Sequence, residues 1–157
     1  MTKPFVKSRG TDVPVSRSQA EMQRILRRYG ATHFGTQADY GDGSLRVFFR
    51  IPETPKPGAP IIPIRLEANL RAVAEACGWQ RPTQAGLEQA ERIAWRHLVL
   101  WVDAACSAAA AGLQTMGEAF FAHVLVSKNG GGAQRIIEEF TERGGFLALP
   151  APKETEQ

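Results

Sequence analysis

Arg46, Phe48 and Arg50 alternate with apolar residues in the run Leu45-Arg46-Val47-Phe48-Phe49-Arg50-Ile51. In an extended strand successive side chains point to opposite faces, so these three share one face and set an aromatic ring between two guanidinium groups. Proteins that hold single-stranded nucleic acid use this combination. Bases stack on an aromatic ring, each worth roughly 1–3 kcal/mol, and cations follow the phosphates. Arg24, Arg27 and Arg28, on the preceding helical stretch, could extend the positive surface, as could Lys3, Lys7 and Arg9 near the N-terminus. The competing reading is structural: a helix or a second subunit covers Phe48 while the arginines reach solvent on their apolar stems.

No other grouping of reactive side chains carries a recognisable reaction. His33, His97 and His123 stand apart, with no H-E-x-x-H, H-x-x-x-H or Cys/His spacing, so no zinc site is expected. His97 lies one turn before Trp101 in an apolar stretch and reads as a core histidine, as does His123. Glu88, Arg92 and Arg96 fall at i, i+4 and i+8, with Asp103 two turns further on. That spacing makes an exposed, ion-paired helix face rather than two acids converging for acid–base work. No G-x-S-x-G or other nucleophile signature is present. Lys128-Asn129-Gly130-Gly131-Gly132 precedes a helical segment, where glycine-rich backbone can hold phosphate. It lacks the phosphate-loop order and is expected to follow a helix, so it reads as a flexible turn. Cys77 and Cys106 form no C-x-x-C pair and read as reduced, buried thiols of a reducing compartment. No catalytic residue, metal or cofactor is expected.

The elements that position these residues follow from periodicity. Residues 1–14 read as a flexible basic arm broken by Pro4, Gly10 and Pro14. A first helix should open at Ser16 or Ser18, each followed three residues on by Gln19 or Glu21 in a capping pattern. Met22, Ile25, Leu26 and Tyr29 form its apolar stripe, Arg17, Arg24, Arg27 and Arg28 its other side, and Gly30 its stop. Two strands, Thr32–Tyr40 and Ser44–Ile51, are joined through Gly41-Asp42-Gly43, a strong hairpin signal. A third strand over Ile61–Arg65 would be confined to an edge by Pro63. Leu66, Leu70, Val73 and Cys77 mark the next helix. Thr83 opens a long one to about Ala111, apolar all round at Leu98–Val102 and therefore the central buried helix. Thr115 and Glu118 form a capping box for a short helix through Phe120, Phe121, Val124 and Leu125; Ala133, Ile136, Ile137 and Phe140 mark the last. The expected class is α+β: an N-terminal helix, a two- or three-stranded antiparallel sheet, then a C-terminal group of helices. Residues 15–149 form one domain, and 150–157 read as a disordered tail.

Composition agrees with that outline. The 157 residues, 43% hydrophobic and 22% charged, suit one domain with its own core. The longest apolar stretch, Leu98–Leu113, is broken by Asp103 and Ser107, so no membrane span is expected. The N-terminal lysines precede no hydrophobic segment, so no secretory signal is read. The charge is uneven: residues 1–30 carry seven Lys/Arg against two acids, and residues 81–157 seven against nine. Such a polarity favours an acidic partner near the N-terminus, against the alternative of a solvated arm.

Glu91–Val102 and Ala111–His123 together resemble a family of small conserved proteins of phages and prophages, as do Val13–Gln19 and Leu26–Ala31. The resemblance covers residues 13–126 in patches. Residues 52–82 stand as an insert, and Ser127-Lys128-Asn129-Gly130-Gly131-Gly132 replaces a short polar turn. It implies a setting, a phage or mobile-element protein in the cytoplasm of a bacterial host, and no activity. The reading is then a non-enzymatic accessory of DNA recombination or replication that binds nucleic acid, single-stranded in preference. The alternatives are a protein-binding module, such as an inhibitor of a bacterial defence system, and an oligomeric assembly protein using Trp79 and the loop 52–60.

Overall fold

The structure, a computed structural model, describes residues 5–145; Lys3 and the expected tail at 150–157 lie outside the described residues. The fold is built on the alternation in the second strand. Strand β2 (Ser44–Pro52) buries Leu45, Val47, Phe49 and Ile51 on one face. It pairs antiparallel with β1 (His33–Asp39) and with β3 (Ile61–Asn69), giving the order β1-β2-β3. The inner face packs against Met22, Ile25 and Leu26 of α1 (Val15–Arg28). It also meets Trp95, Val99, Val102 and Cys106 of α3 (Gln84–Ala110). The class is α+β: an N-terminal helix, a three-stranded antiparallel sheet, then helices including one of 27 residues.

Several elements differ from the sequence reading, each for a local reason. Helix α1 opens one residue before Ser16, with Pro14 at its cap and no side-chain cap bond. Ser18 is instead fully buried, where Arg96 Nη1 reaches its hydroxyl at 3.4 Å. Strand β3 runs four residues past Arg65, because Ile64, Leu66, Arg65 and Glu67 keep a period of two. The helical spacing from Leu66 to Cys77 joined a strand end to α2 (Leu70–Ala76). Pro63 does lie on an edge strand. Thr83 caps α3 as expected, but Leu100 and Trp101 are each 38% exposed, so that helix is not buried all round. The capping box of Thr115 and Glu118 is present, yet α4 (Met116–Ala119) stops after one turn. A 3-10 turn (Phe121–His123) follows, and Val124 bridges Ile64 on the free side of β3. Strands β4 (Leu125–Ser127) and β5 (Ala133–Arg135) then form a second small sheet before α5 (Ile136–Glu142).

The glycine run is the turn of this β4–β5 hairpin. Gly130, Gly131 and Gly132 all have positive φ, and three strand residues separate them from α5, so they do not form a helix N-terminus. Residues 5–13, read as a flexible arm, lie along α3. Gln89 Nε2 donates to the carbonyls of Arg9 and Thr11 at 3.2 and 2.8 Å, and His97 Nε2 donates to that of Lys7 at 2.7 Å. His97 is therefore an exposed anchor, not a core histidine. The expected stripe on α3 is also divided. Arg96 pairs across to Glu21 on α1 at 2.6 Å, Arg92 Nε donates to Gln89, and Glu91 is buried, accepting from the Tyr40 hydroxyl. Among the described residues no helix is long and apolar enough to cross a membrane.

Candidate nucleic-acid interface

The alternation that buries one face of β2 turns Arg46, Phe48 and Arg50 to the other. The helical layer of α1 and α3 lies beneath the inner face and leaves this outer face to its own neighbours. Register names them. Phe48 stands between Gly35 on β1 and Arg65 on β3, Arg46 between Gln37 and Glu67, and Arg50 between His33 and Pro63. Opposed residues have Cβ atoms about 4.5–5.5 Å apart, so each pair is in contact range. Gly35 contributes no side chain, and a Cβ placed there would meet nothing within 4 Å. The β1 side of the Phe48 ring is therefore open. A shallow cavity of about 560 Å³ lies there, with His33, Gly35, Phe48, Arg50, Pro63 and Leu125 in its wall. Phe48 is half-buried and Arg50 exposed.

Beyond Phe48, on the β3 side, is an ionic cluster. Glu67 receives Arg46 Nε at 3.2 Å and Arg135 Nη2 at 3.1 Å. Glu138 of α5 takes Arg65 Nη2 on both carboxylate oxygens, at 2.9 and 2.8 Å. It also accepts from Arg135, through the backbone amide at 2.7 Å and Nε at 3.2 Å. Arg65 Nε is 2.9 Å from Glu67 Oε1, but that buried N–H has no aligned acceptor. The contact is one of charge rather than a directed hydrogen bond. Three guanidinium groups thus surround two carboxylates, and Arg50 adds a further cation beside Phe48.

His123 closes the cluster. Its Nδ1 lies 3.4 Å from Arg135 Nη1, and its ring meets Trp101 edge-on at 5.1 Å. Burial, then the Arg135 charge, push its pKa below the ordinary 6.5 against the pull of Glu67. His123 is half-buried, so the core assignment is corrected to a place at the joint between the core and the ionic cluster. Burial works against the charged form of Glu138. The Arg135 hydrogen bonds and the charges of Arg65 and Arg135 outweigh it and hold the carboxyl below 4.5.

The other expected site residues are not gathered here. Arg24, Arg27 and Arg28 are exposed on α1, in the layer beneath the inner face. They cannot extend the outer surface, because the sheet lies between. Lys7 and Arg9 run along α3, with the Arg9 guanidinium over Trp79 at 5.8 Å. What the sequence reading missed is Gly35, Arg65, Glu67, His123, Arg135 and Glu138. The alternation of Arg65 and Glu67 with Ile64 and Leu66 was the available signal for two of them. A larger cavity, about 650 Å³, lies between the end of α1, the loop after β2 and α4. There Arg28 and Lys56 are offset by Glu53 and Glu118, so it lacks the positive balance of the sheet face. Cys77 and Cys106 are free and buried, and burial, then the charge of Asp103, push the Cys106 thiol up to about 12. Comparison with known proteins returns no family model, no curated protein and no solved structure that matches this chain.

Proposed function

We propose that the chain binds single-stranded nucleic acid on the outer sheet face and catalyses no reaction on it. One observation carries the reading: Phe48 stands between Arg46 and Arg50 with no side chain opposite it at Gly35. The gap leaves room for a base to lie on the ring; exposed Arg50 supplies a charge that a phosphate chain needs, and Arg46 a second one shared with Glu67. A duplex keeps its base faces stacked inside, so the single strand is the favoured form. A single-strand binder of this kind would serve DNA recombination or replication, and the resemblance of Glu91–Val102 and Ala111–His123 to phage and prophage proteins suggests only the setting, a phage or mobile element inside a bacterium.

Fluorescence anisotropy with labelled single- and double-stranded oligonucleotides tests it. Wild type binds single strands with an affinity that falls as salt rises. Phe48→Ala weakens binding about five- to 150-fold, the range of one lost stack. Gly35→Val weakens it as well by filling the gap, with every charge intact. Arg50→Ala lowers the salt slope by about 0.7. No binding by wild type at low salt ends the proposal.

A second reading rests on another surface. Leu100, Trp101 and Phe121 are exposed, Phe121 at 61%. Exposed large apolar side chains mark protein contacts when contiguous. A module that binds a host or phage protein there, or assembles with itself, ignores nucleic acid in the same assay.

A further inference from the structure

We propose that Arg65 and Arg135 form a phosphodiester-binding site held shut by an internal mimic, the Glu138 carboxylate of α5; the proposal rests on the nucleic-acid reading above. Glu138 takes three kinds of donor that suit a phosphate: a guanidinium Nη, a guanidinium Nε and a backbone amide. Arg65 is the cross-strand neighbour of Phe48, so a strand stacked on that ring passes directly beside it. The match between carboxylate and guanidinium is incomplete. Both Glu138 oxygens crowd Arg65 Nη2, while the neighbouring Nε–H is held only by the charge of Glu67 Oε1, 2.9 Å away and out of line for a hydrogen bond. An anion that spans the side edge of the guanidinium would take both donors, as bidentate phosphates do.

The element that brings Glu138 is also lightly held. Helix α5 has no fully buried side chain, nor does β4, and β5 has only Gln134. Backbone bonds tie Ile136 to Val124 at 3.0 Å and Val124 to Ile64; the side-chain attachment near the outer face is ionic, through Arg65–Glu138 and Arg135–Glu67. Such a joint can yield to a competing anion where a packed apolar one would not. In the bound state the phosphate sits on Arg65 and Arg135, and Glu138 turns to solvent with α5.

The test compares charge removal at two adjacent positions. Glu138→Gln keeps a residue that can complete the helix cap and removes the competing charge. Glu139→Gln removes the same charge from the residue that pairs with Arg143, outside the cluster. Glu138→Gln should tighten single-strand binding roughly tenfold, the value of one added charge-assisted contact. It should also steepen the salt slope by about 0.7, as for one more phosphate. Glu139→Gln should do neither. Equal gains in the two variants, or none at Glu138, overturn the proposal while wild-type binding leaves the underlying reading standing. Absence of binding in every form overturns both. Hydrogen exchange on wild type gives a second readout that needs no variant: a saturating oligonucleotide should speed exchange across Ile136–Glu142, and slower or unchanged exchange there overturns the clasp.

Discussion

At the residue scale, burial separates side chains that hold the fold from those free to act. Phe120 is fully buried and meets Phe49 and Trp101 edge-on, at 5.5 and 5.7 Å. Its place at the junction of the sheet, α3 and the C-terminal module (the β4–β5 hairpin with α5) makes it a keystone of packing. Phe120→Ala should lower the unfolding free energy by about 3–5 kcal/mol, read from urea denaturation. A loss under 1.5 kcal/mol would mean that the site collapses around the gap. Phe48 is half-buried on the other face, so Phe48→Ala should cost much less stability while it costs binding. The Arg46-Phe48-Arg50 triplet was legible because strand alternation is a property of the backbone. Its setting was not. Gly35 and Glu138 reach Phe48 and Arg65 through register and tertiary contact, over separations of 13 and 73 residues, which no local pattern encodes.

At the element scale, caps and periods decided what could be read. Thr83 accepts from the Gly86 amide at 3.2 Å and was identifiable from its place before a long apolar run. Thr83→Ala should cost about 1 kcal/mol. Ser16, an equally plausible cap by sequence, lies inside α1, where Pro14 takes the cap position. Ser16→Ala should change stability by less than about 0.5 kcal/mol in the same melts. A matching loss at Ser16 would show the cap to be misassigned. The second half of the chain was the harder to read because its elements are short. Three-residue strands such as β4 and β5 carry too few residues for a period, and Val124 and Leu125 fit a helix stripe as well as a strand. The boundary between β3 and α2 was lost for the same reason, since Leu66 satisfies both patterns.

At the scale of the whole molecule, the C-terminal module and the sheet meet through groups that titrate. The His123 pKa lies below its unfolded value of 6.5, so its contribution is complete above that pH and is lost as the pH falls through the folded value. Glu138 behaves alike, with a contribution present above 4.5 and lost below it. Thermal melts from about pH 8 to pH 3 should show two successive falls in Tm, the upper one reduced in His123→Gln and the lower in Glu138→Gln. A flat Tm across that range would separate the joint from global stability. The sheet itself is asymmetric. On β3 the margin is blunted by Pro63 and by the Val124 bridge, whereas among the described residues no strand pairs with the free side of β1. That strand, His33-Phe34-Gly35-Thr36-Gln37-Ala38-Asp39, has neither lysine nor proline to discourage a second chain. The unpaired margin of β1 therefore leaves room on the sheet for one more strand, contributed by a second chain.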